Sequence, residues 1–196
     1  NDLGNTGTGG AKSDTDTVSI TVSAVNDTPV NSVPGSQSTT EDTALIFSST
    51  NGNAITVADV DAGSSSVRVT LTATNGTLTL NSTTGLTFTA GDGTNDTTLT
   101  FSGNLTNLNN ALNGLRFNPN ANYSGSASVQ IVTNDLGNTG SGGSKSDTDT
   151  VSITVSAVND APVNTVPGSQ TTSQNTDRVF SAANGNAITI ADVDAG

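Results

Sequence analysis

Cysteine, histidine, methionine and tryptophan are all missing from this chain, and tyrosine occurs once, at Tyr123. Without cysteine there are no disulfides and no thiol chemistry; without histidine, imidazole ligation and imidazole acid–base catalysis are excluded. With a single Tyr and no Trp there is no aromatic platform on which a sugar could stack, so the carboxylates have no partner surface for glycoside hydrolysis, and no enzyme is expected. Basic residues are scarce as well: 5 Lys and Arg stand against 17 Asp and Glu, for a net charge of −12. Such a surface repels nucleic acid and anionic membranes and is suited to collecting divalent cations, although the same charge would also keep a secreted protein soluble. Complete avoidance of cysteine fits a bacterial secreted protein better than a disulfide-built extracellular domain. No signal peptide or apolar membrane span is visible, and no membrane insertion is expected.

What is present is mostly Thr, Ser, Asn, Gly and Val, and it is duplicated. The hexapeptide Val25-Asn26-Asp27-Thr28-Pro29-Val30 returns as Val158-Asn159-Asp160-Ala161-Pro162-Val163, 133 residues later. Proline at its fourth position fixes φ and holds the preceding residue extended, so the stretch reads as a stiff connector. Residues 1–63 align without a gap on 134–196, with 49 of 63 positions identical. Near identity over one period marks a tandem array, of which about one and a half periods are expected here, cut from something longer. The expected organisation is 1–25, the closing strand of a preceding repeat; 26–158, one complete repeat; and 159–196, the opening strands of the next. A unit of ~130 residues can bury enough surface to fold unaided. The two end segments are incomplete, and they are expected to pair with neighbouring copies, by continuity of a filament or by strand addition.

Within the unit, period-two alternation predominates. Asp14–Ala24 alternates in its second half, Ala44–Phe47 and Ala54–Val57 are short apolar runs, and Val67, Val69, Leu71 and Ala73 form a regular buried face. Asn75-Gly76 then separates two alternating runs, which predicts a hairpin. Leu86 with Phe88 and Leu99 with Phe101 predict a second strand pair around Gly91–Asp96. Leu115 with Phe117, Val129 with Ile131, and Val151, Ile153 and Val155 complete the set. Only Leu105–Gly114 repeats at three and four, predicting a short helix that ends on Gly114 and is held by Leu105, Leu108 and Leu112 over an open end of the sheets. The expected fold is all-β, an antiparallel β-sandwich with one short helix.

The run Leu112-Asn113-Gly114-Leu115-Arg116-Phe117-Asn118-Pro119-Asn120-Ala121-Asn122-Tyr123-Ser124-Gly125, followed by an alternating strand and the Val-Asn-Asp-Ala-Pro-Val joint, resembles the cadherin-like, Ig-like tandem repeats of giant bacterial surface adhesins exported by type I secretion. The resemblance covers the whole unit. It implies an extracellular, cell-surface extender that holds an adhesive tip away from the cell, with neighbouring repeats as its partners and calcium stiffening the array.

Calcium takes six to eight oxygens from carboxylates, amide side chains and backbone carbonyls, and the joint Asn26-Asp27 offers two side chains of that kind. The resemblance implies that Asp59 and Asp61, in the loop after the second strand, complete the site, and that their copies Asp192 and Asp194 do so for Asn159-Asp160. It also places Glu41 at the end of the first strand, facing the joint that follows; the copy carries Gln174 and Asn175 in place of Glu41 and Asp42. Asp135, Asp147 and Asp149 flank the last loop and read as solvated loop acids, while Asp92 and Asp96 read as a turn. The alternative function is a carbohydrate- or protein-binding β-sandwich module that mediates adhesion directly. A Gly-Gly-x-Gly-x-Asp calcium nonapeptide is absent from Gly137–Asp149, and solvent-facing Thr is ordinary strand composition, without the constant short period of an ice-binding face.

Overall fold

The computed structural model describes residues 1–4 and 6–195. Asn5 and Gly196, which belong to the first and third expected segments, lie outside the described residues. Among the described residues the chain is all-β with one α-helix. Its larger sheet has six strands in the order β2-β11-β10-β5-β8-β7, formed by β2 (Gln37–Thr40), β5 (Val67–Thr74), β7 (Thr87–Ala90), β8 (Thr98–Gly103), β10 (Gly125–Asn134) and β11 (Ser146–Ser156). A three-stranded sheet orders β3 (Leu45–Phe47), β9 (Leu115–Pro119) and β6 (Gly76–Thr79) as β3-β9-β6. β1 (Val30–Ser32) pairs with β4 (Thr56–Ala58), and their copies β12 (Val163–Thr165) and β13 (Thr189–Ala191) pair likewise.

Alternation decides which face each strand buries. On β5 Val67, Val69, Leu71 and Ala73 face inward, and Leu99 and Phe101 of β8, Val129 and Ile131 of β10, and Val151, Ile153 and Val155 of β11 join them. The smaller sheet closes the same core with Phe47, Leu78, Leu115 and Phe117. Full burial of side chains this size is worth roughly 1.5–3 kcal/mol each, which is the main stabilisation open to a chain with no disulfide.

The helix α1 (Leu105–Leu112) forms where the period changes, and Leu108, Ala111 and Leu112 are buried. Its asparagines, poor helix formers in isolation, are used for backbone pairing. Asn104 caps the N-terminus by accepting from the Asn107 amide. Asn109 accepts from the Val57 amide at 2.9 Å and donates to the Val57 carbonyl at 2.9 Å, standing in for a strand partner of β4. Gly114, at φ 113°, then turns the chain into β9. No helix among the described residues is long and apolar enough to cross a membrane.

Three expectations are corrected. Asn75-Gly76 is not a hairpin turn, because β5 pairs with β8 and β10 whereas β6 pairs with β9; the dipeptide is the corner where the chain changes sheets. It is used there for its backbone: Asn75 has φ 56°, and a Cβ on Gly76 would lie 2.5 Å from the Phe117 ring. The pairing is not wholly antiparallel, since β2 runs parallel to β11, in register from Gln37 opposite Ile153 to Thr40 opposite Ser156. No tight turn links those two strands, so nothing forces the antiparallel direction. Lastly, residues 14–24 form no strand. Val18, Ile20 and Val22 are 85, 83 and 89 % exposed, although the identical Val151, Ile153 and Val155 are 1–2 % exposed, because among the described residues no strand pairs with residues 14–24.

Candidate functional site

The two joints bring most of the expected acids together. At the first, Pro29 and β1 carry the chain into the unit, and β4 leads into the loop that holds Asp59 and Asp61. Because β1 and β4 are paired, the loop folds back on the joint, and the Asp27 amide donates to Asp61 Oδ2 at 2.9 Å. Asp59 Oδ1 accepts from the amides of Asp61 and Ala62, both at 3.1 Å, which locks the loop as an Asx turn. The other Asp59 oxygen is enclosed and has no partner.

Asn26 is the most enclosed residue of the joint, at 1 % exposure. Its Nδ2 donates to Asp135 Oδ2 at 2.6 Å and to the Gly143 carbonyl at 2.9 Å, and its Oδ1 is buried without a hydrogen-bond partner. Asp135 is likewise 1 % exposed. Its Oδ1 accepts from the amides of Gly137 and Lys145, both at 2.8 Å. Far from being a solvated loop acid, Asp135 anchors the glycine-rich loop between β10 and β11 and carries the joint on its other oxygen. Asp147 is not free either, since its Oδ2 accepts from the Asn31 amide at 2.7 Å. The sequence signal for Asp135 was its place in the duplicated segment, as the copy of Asp2; its burial depends on the loop closing over Asn26, which spacing does not encode.

That loop also grips the connector's backbone. Ser141 and Val25 form a parallel bridge, with the Asn26 amide donating to the Ser141 carbonyl at 2.9 Å and the Ser141 amide to the Ala24 carbonyl at 3.0 Å. Thr139 donates to the Asp61 carbonyl, joining the loop to the Asp59–Asp61 turn. Gly140 is required by the contact: at φ 93°, a Cβ there would stand 2.7 Å from the Asn26 nitrogen and from the Val25 carbonyl carbon.

The electrostatics match the crowding. Burial pushes the Asp59 carboxyl above its ordinary value, and Asp61 beside it adds to the shift. Asp61 is held below the ordinary value, first by the Asp27 amide and then by Asp59. For Asp135 burial acts upward, but the Lys145 and Gly137 amides and the Asn26 side chain outweigh it and hold the carboxyl down.

At the second joint the Asp160 amide donates to Asp194 Oδ2, and Asp192 Oδ1 accepts from the Asp194 amide at 3.0 Å, repeating the first turn. Glu41, 4 % exposed, lies beside this joint: its Oε1 accepts from the Val158 amide at 2.6 Å, while its own amide donates to the Ser156 carbonyl at 3.0 Å. Asp160 Oδ2 is enclosed without a partner, and burial, followed by the charges of Asp194, Asp42, Glu41 and Asp192, pushes its carboxyl up. Asn159 differs from Asn26. It is exposed, and among the described residues its side chain bonds to the Asp160 carbonyl alone.

Among the described residues no three Asp or Glu side chains converge as a ready-made cation cage. Several of their oxygens are occupied by backbone amides, so what is left for an ion is a mixed set of amide, carboxylate and carbonyl oxygens. Asp92 and Asp96 form a turn, with Asp96 Oδ2 accepting from the amides of Asp92, Gly93 and Thr94. No family model matches this chain, and no curated protein matches it.

Proposed function

We propose that the chain is a structural extender from a long extracellular bacterial adhesin or filament, in which joints between repeats are stiffened by calcium. One observation carries this reading. Four buried side-chain polar atoms lack a partner among the described residues, and three of them are joint oxygens: Asn26 Oδ1, Asp59 Oδ2 and Asp160 Oδ2. Enclosing an oxygen without a donor costs about 1–3 kcal/mol, and a hard cation supplies what a donor would.

The chain's own residues fit such an ion. Asn26, Asp27, Asp59 and Asp61 would hold it at the first joint, with Asp135 fixing Asn26 from behind; Glu41, Asn159, Asp160, Asp192 and Asp194 would do so at the second. Bound calcium supplies positive charge where carboxylates otherwise repel. At the first joint the connector's tie to the β10–β11 loop through Ser141 restrains part of its motion, and ligands shared through the ion would restrain the rest. Affinity is expected in the range of extracellular modules, with a Kd of roughly 0.1–1 mM.

Calcium titration of the whole chain, following the thermal midpoint and the maximum dimension by small-angle scattering, tests this, with Asp59→Ala/Asp61→Ala as control. A rise in both, reduced in the variant, supports the reading. If neither moves, the acids are solubilising charge.

A further inference from the structure

We propose that the groove between β2 and β10 is a strand-exchange site, whose occupant in trans is residues 13–24 of a second copy of this chain. In the structure β11 fills that groove, antiparallel to β10 and parallel to β2. Residues 12–27 are identical to 145–160 at every position, so the groove meets the same side chains from either segment. Transferred into the register of β11, Val18 would face Val129, as Val151 does, and Val22 would face Gly125, as Val155 does. The three apolar side chains that β11 buries, Val151, Ile153 and Val155, are the ones that the first segment leaves exposed as Val18, Ile20 and Val22.

Geometry decides that the exchange is between molecules. β11 has 11 residues and spans about 36 Å. Its Val155 end lies opposite Gly125, and its Ser146 end lies opposite Asn134, beside the loop that holds Ser141. To enter its own groove, the first segment would have to carry Ala24 to the Val155 end, while Val30 stays in β1 on the side of Ser141. Six residues reach at most about 20 Å, so a chain cannot fill its own groove in this way.

A second copy can. Its Val25 would take the place of Val158, presenting its amide to Glu41, and its Asn26-Asp27 would begin a joint where Asn159-Asp160 stood. The contact is head-to-tail and does not close on itself, so repeated exchange gives an open array with the spacing of the covalent repeat. Side-chain contacts in the groove are the same before and after. Exchange is therefore governed by mass action against the tethered β11, whose effective concentration is on the order of mM. Calcium is not involved, and the inference stands apart from the cation reading.

The test uses the full chain, which has no native cysteine, carrying Thr17→Cys and Gln130→Cys. Gln130 lies opposite Thr150 in the register, so Thr17 takes the place of Thr150 when exchanged and brings the two thiols together. The chain is refolded in EDTA under oxidising conditions from about 10 µM to about 1 mM, across the effective concentration of the tethered strand. Disulfide-linked dimers and longer ladders whose fraction rises with concentration, and falls to background when Val18→Asp/Ile20→Asp is added, are the expected result. Refolded chain without linked species at the highest concentration overturns the proposal, as does linkage that persists with the two aspartates, which marks random collision. Val151→Asp/Ile153→Asp expels the resident strand and is expected to raise the linked yield; that variant staying unfolded at every concentration counts against a groove that accepts the first segment.

Discussion

The side-chain amide of Asn26 donates to the Asp135 carboxylate at 2.6 Å, with both residues buried and 109 positions apart in sequence. The connector that enters the unit is therefore tied to the loop that precedes the unit's last strand. Asp135 has no spare capacity for an altered partner, since its other oxygen holds two backbone amides. Asp135→Asn would either turn an NH2 group toward the Asn26 NH2 or surrender the two amides. A loss of about 1–3 kcal/mol in denaturant unfolding is expected.

Asp59→Asn should act in the opposite sense when no divalent cation is present. Its Oδ1 can still accept from Asp61 and Ala62, while the buried, partnerless carboxylate charge disappears. A carboxyl whose folded pKa lies above its ordinary value of 3.8 costs stability while ionised, and that cost fades as pH falls through the folded pKa toward 3.8. The variant is thus expected to melt above the parent at neutral pH in EDTA, with the gap closing in acid, and to respond less to calcium. Asp61 and Asp135, both held low, contribute the reverse: stability present above 3.8 and lost as pH falls through their folded pKa values. Melting curves from pH 7 to pH 3, with and without calcium, check all three signs.

Gly140→Ala tests the grip on the connector. The added methyl would have to displace the backbone at Asn26 and Val25. Since those atoms belong to the connector and not to the core, the expected outcome is faster limited proteolysis around Ala24–Asp27 with little change in the unit's thermal midpoint.

At the second joint, Glu41→Gln keeps an oxygen for the Val158 amide and removes one of the charges that face Asp160. The copy makes this change by itself, with Gln174 in the place of Glu41. Calorimetry of the variant should show a several-fold weaker calcium interaction, and the first joint should be unaffected.

Gly76→Ala probes the corner between sheets. A Cβ at 2.5 Å from Phe117 Cε2 and 2.6 Å from the Asn118 carbonyl leaves no room, and a fully buried ring cannot swing away. Overpacking of this kind costs typically about 1–3 kcal/mol, measurable by urea unfolding.

The buried faces of β5, β8, β10 and β11 follow from strict alternation at Val67–Ala73, Leu99–Phe101, Val129–Ile131 and Val151–Val155, because side chains on a strand have a period of two whatever lies across the core. The helix was legible for the same reason, as the one place where the apolar spacing changes to three and four. The duplication and the joints could also be read from order along the chain, whereas Asp59 and Asp61 were placed beside Asn26-Asp27 only by the family resemblance. Tertiary structure alone decided the rest. Asn75-Gly76 has the composition of a hairpin, yet whether a positive-φ corner joins two strands of one sheet or sends them to different sheets depends on which partners lie alongside, here β8 and β10 against β9. Residues 14–24 and 147–157 are the same sequence in two states, exposed and buried, since a strand's backbone donors and acceptors are satisfied only by neighbours it does not itself supply. Asp2 and Asp135 make the same point for the site. Asp2 accepts the amides of Gly4 and Lys12 just as Asp135 accepts those of Gly137 and Lys145, yet Asp2 stays exposed and Asp135 is buried, because the Asn26 side chain packs on Asp135.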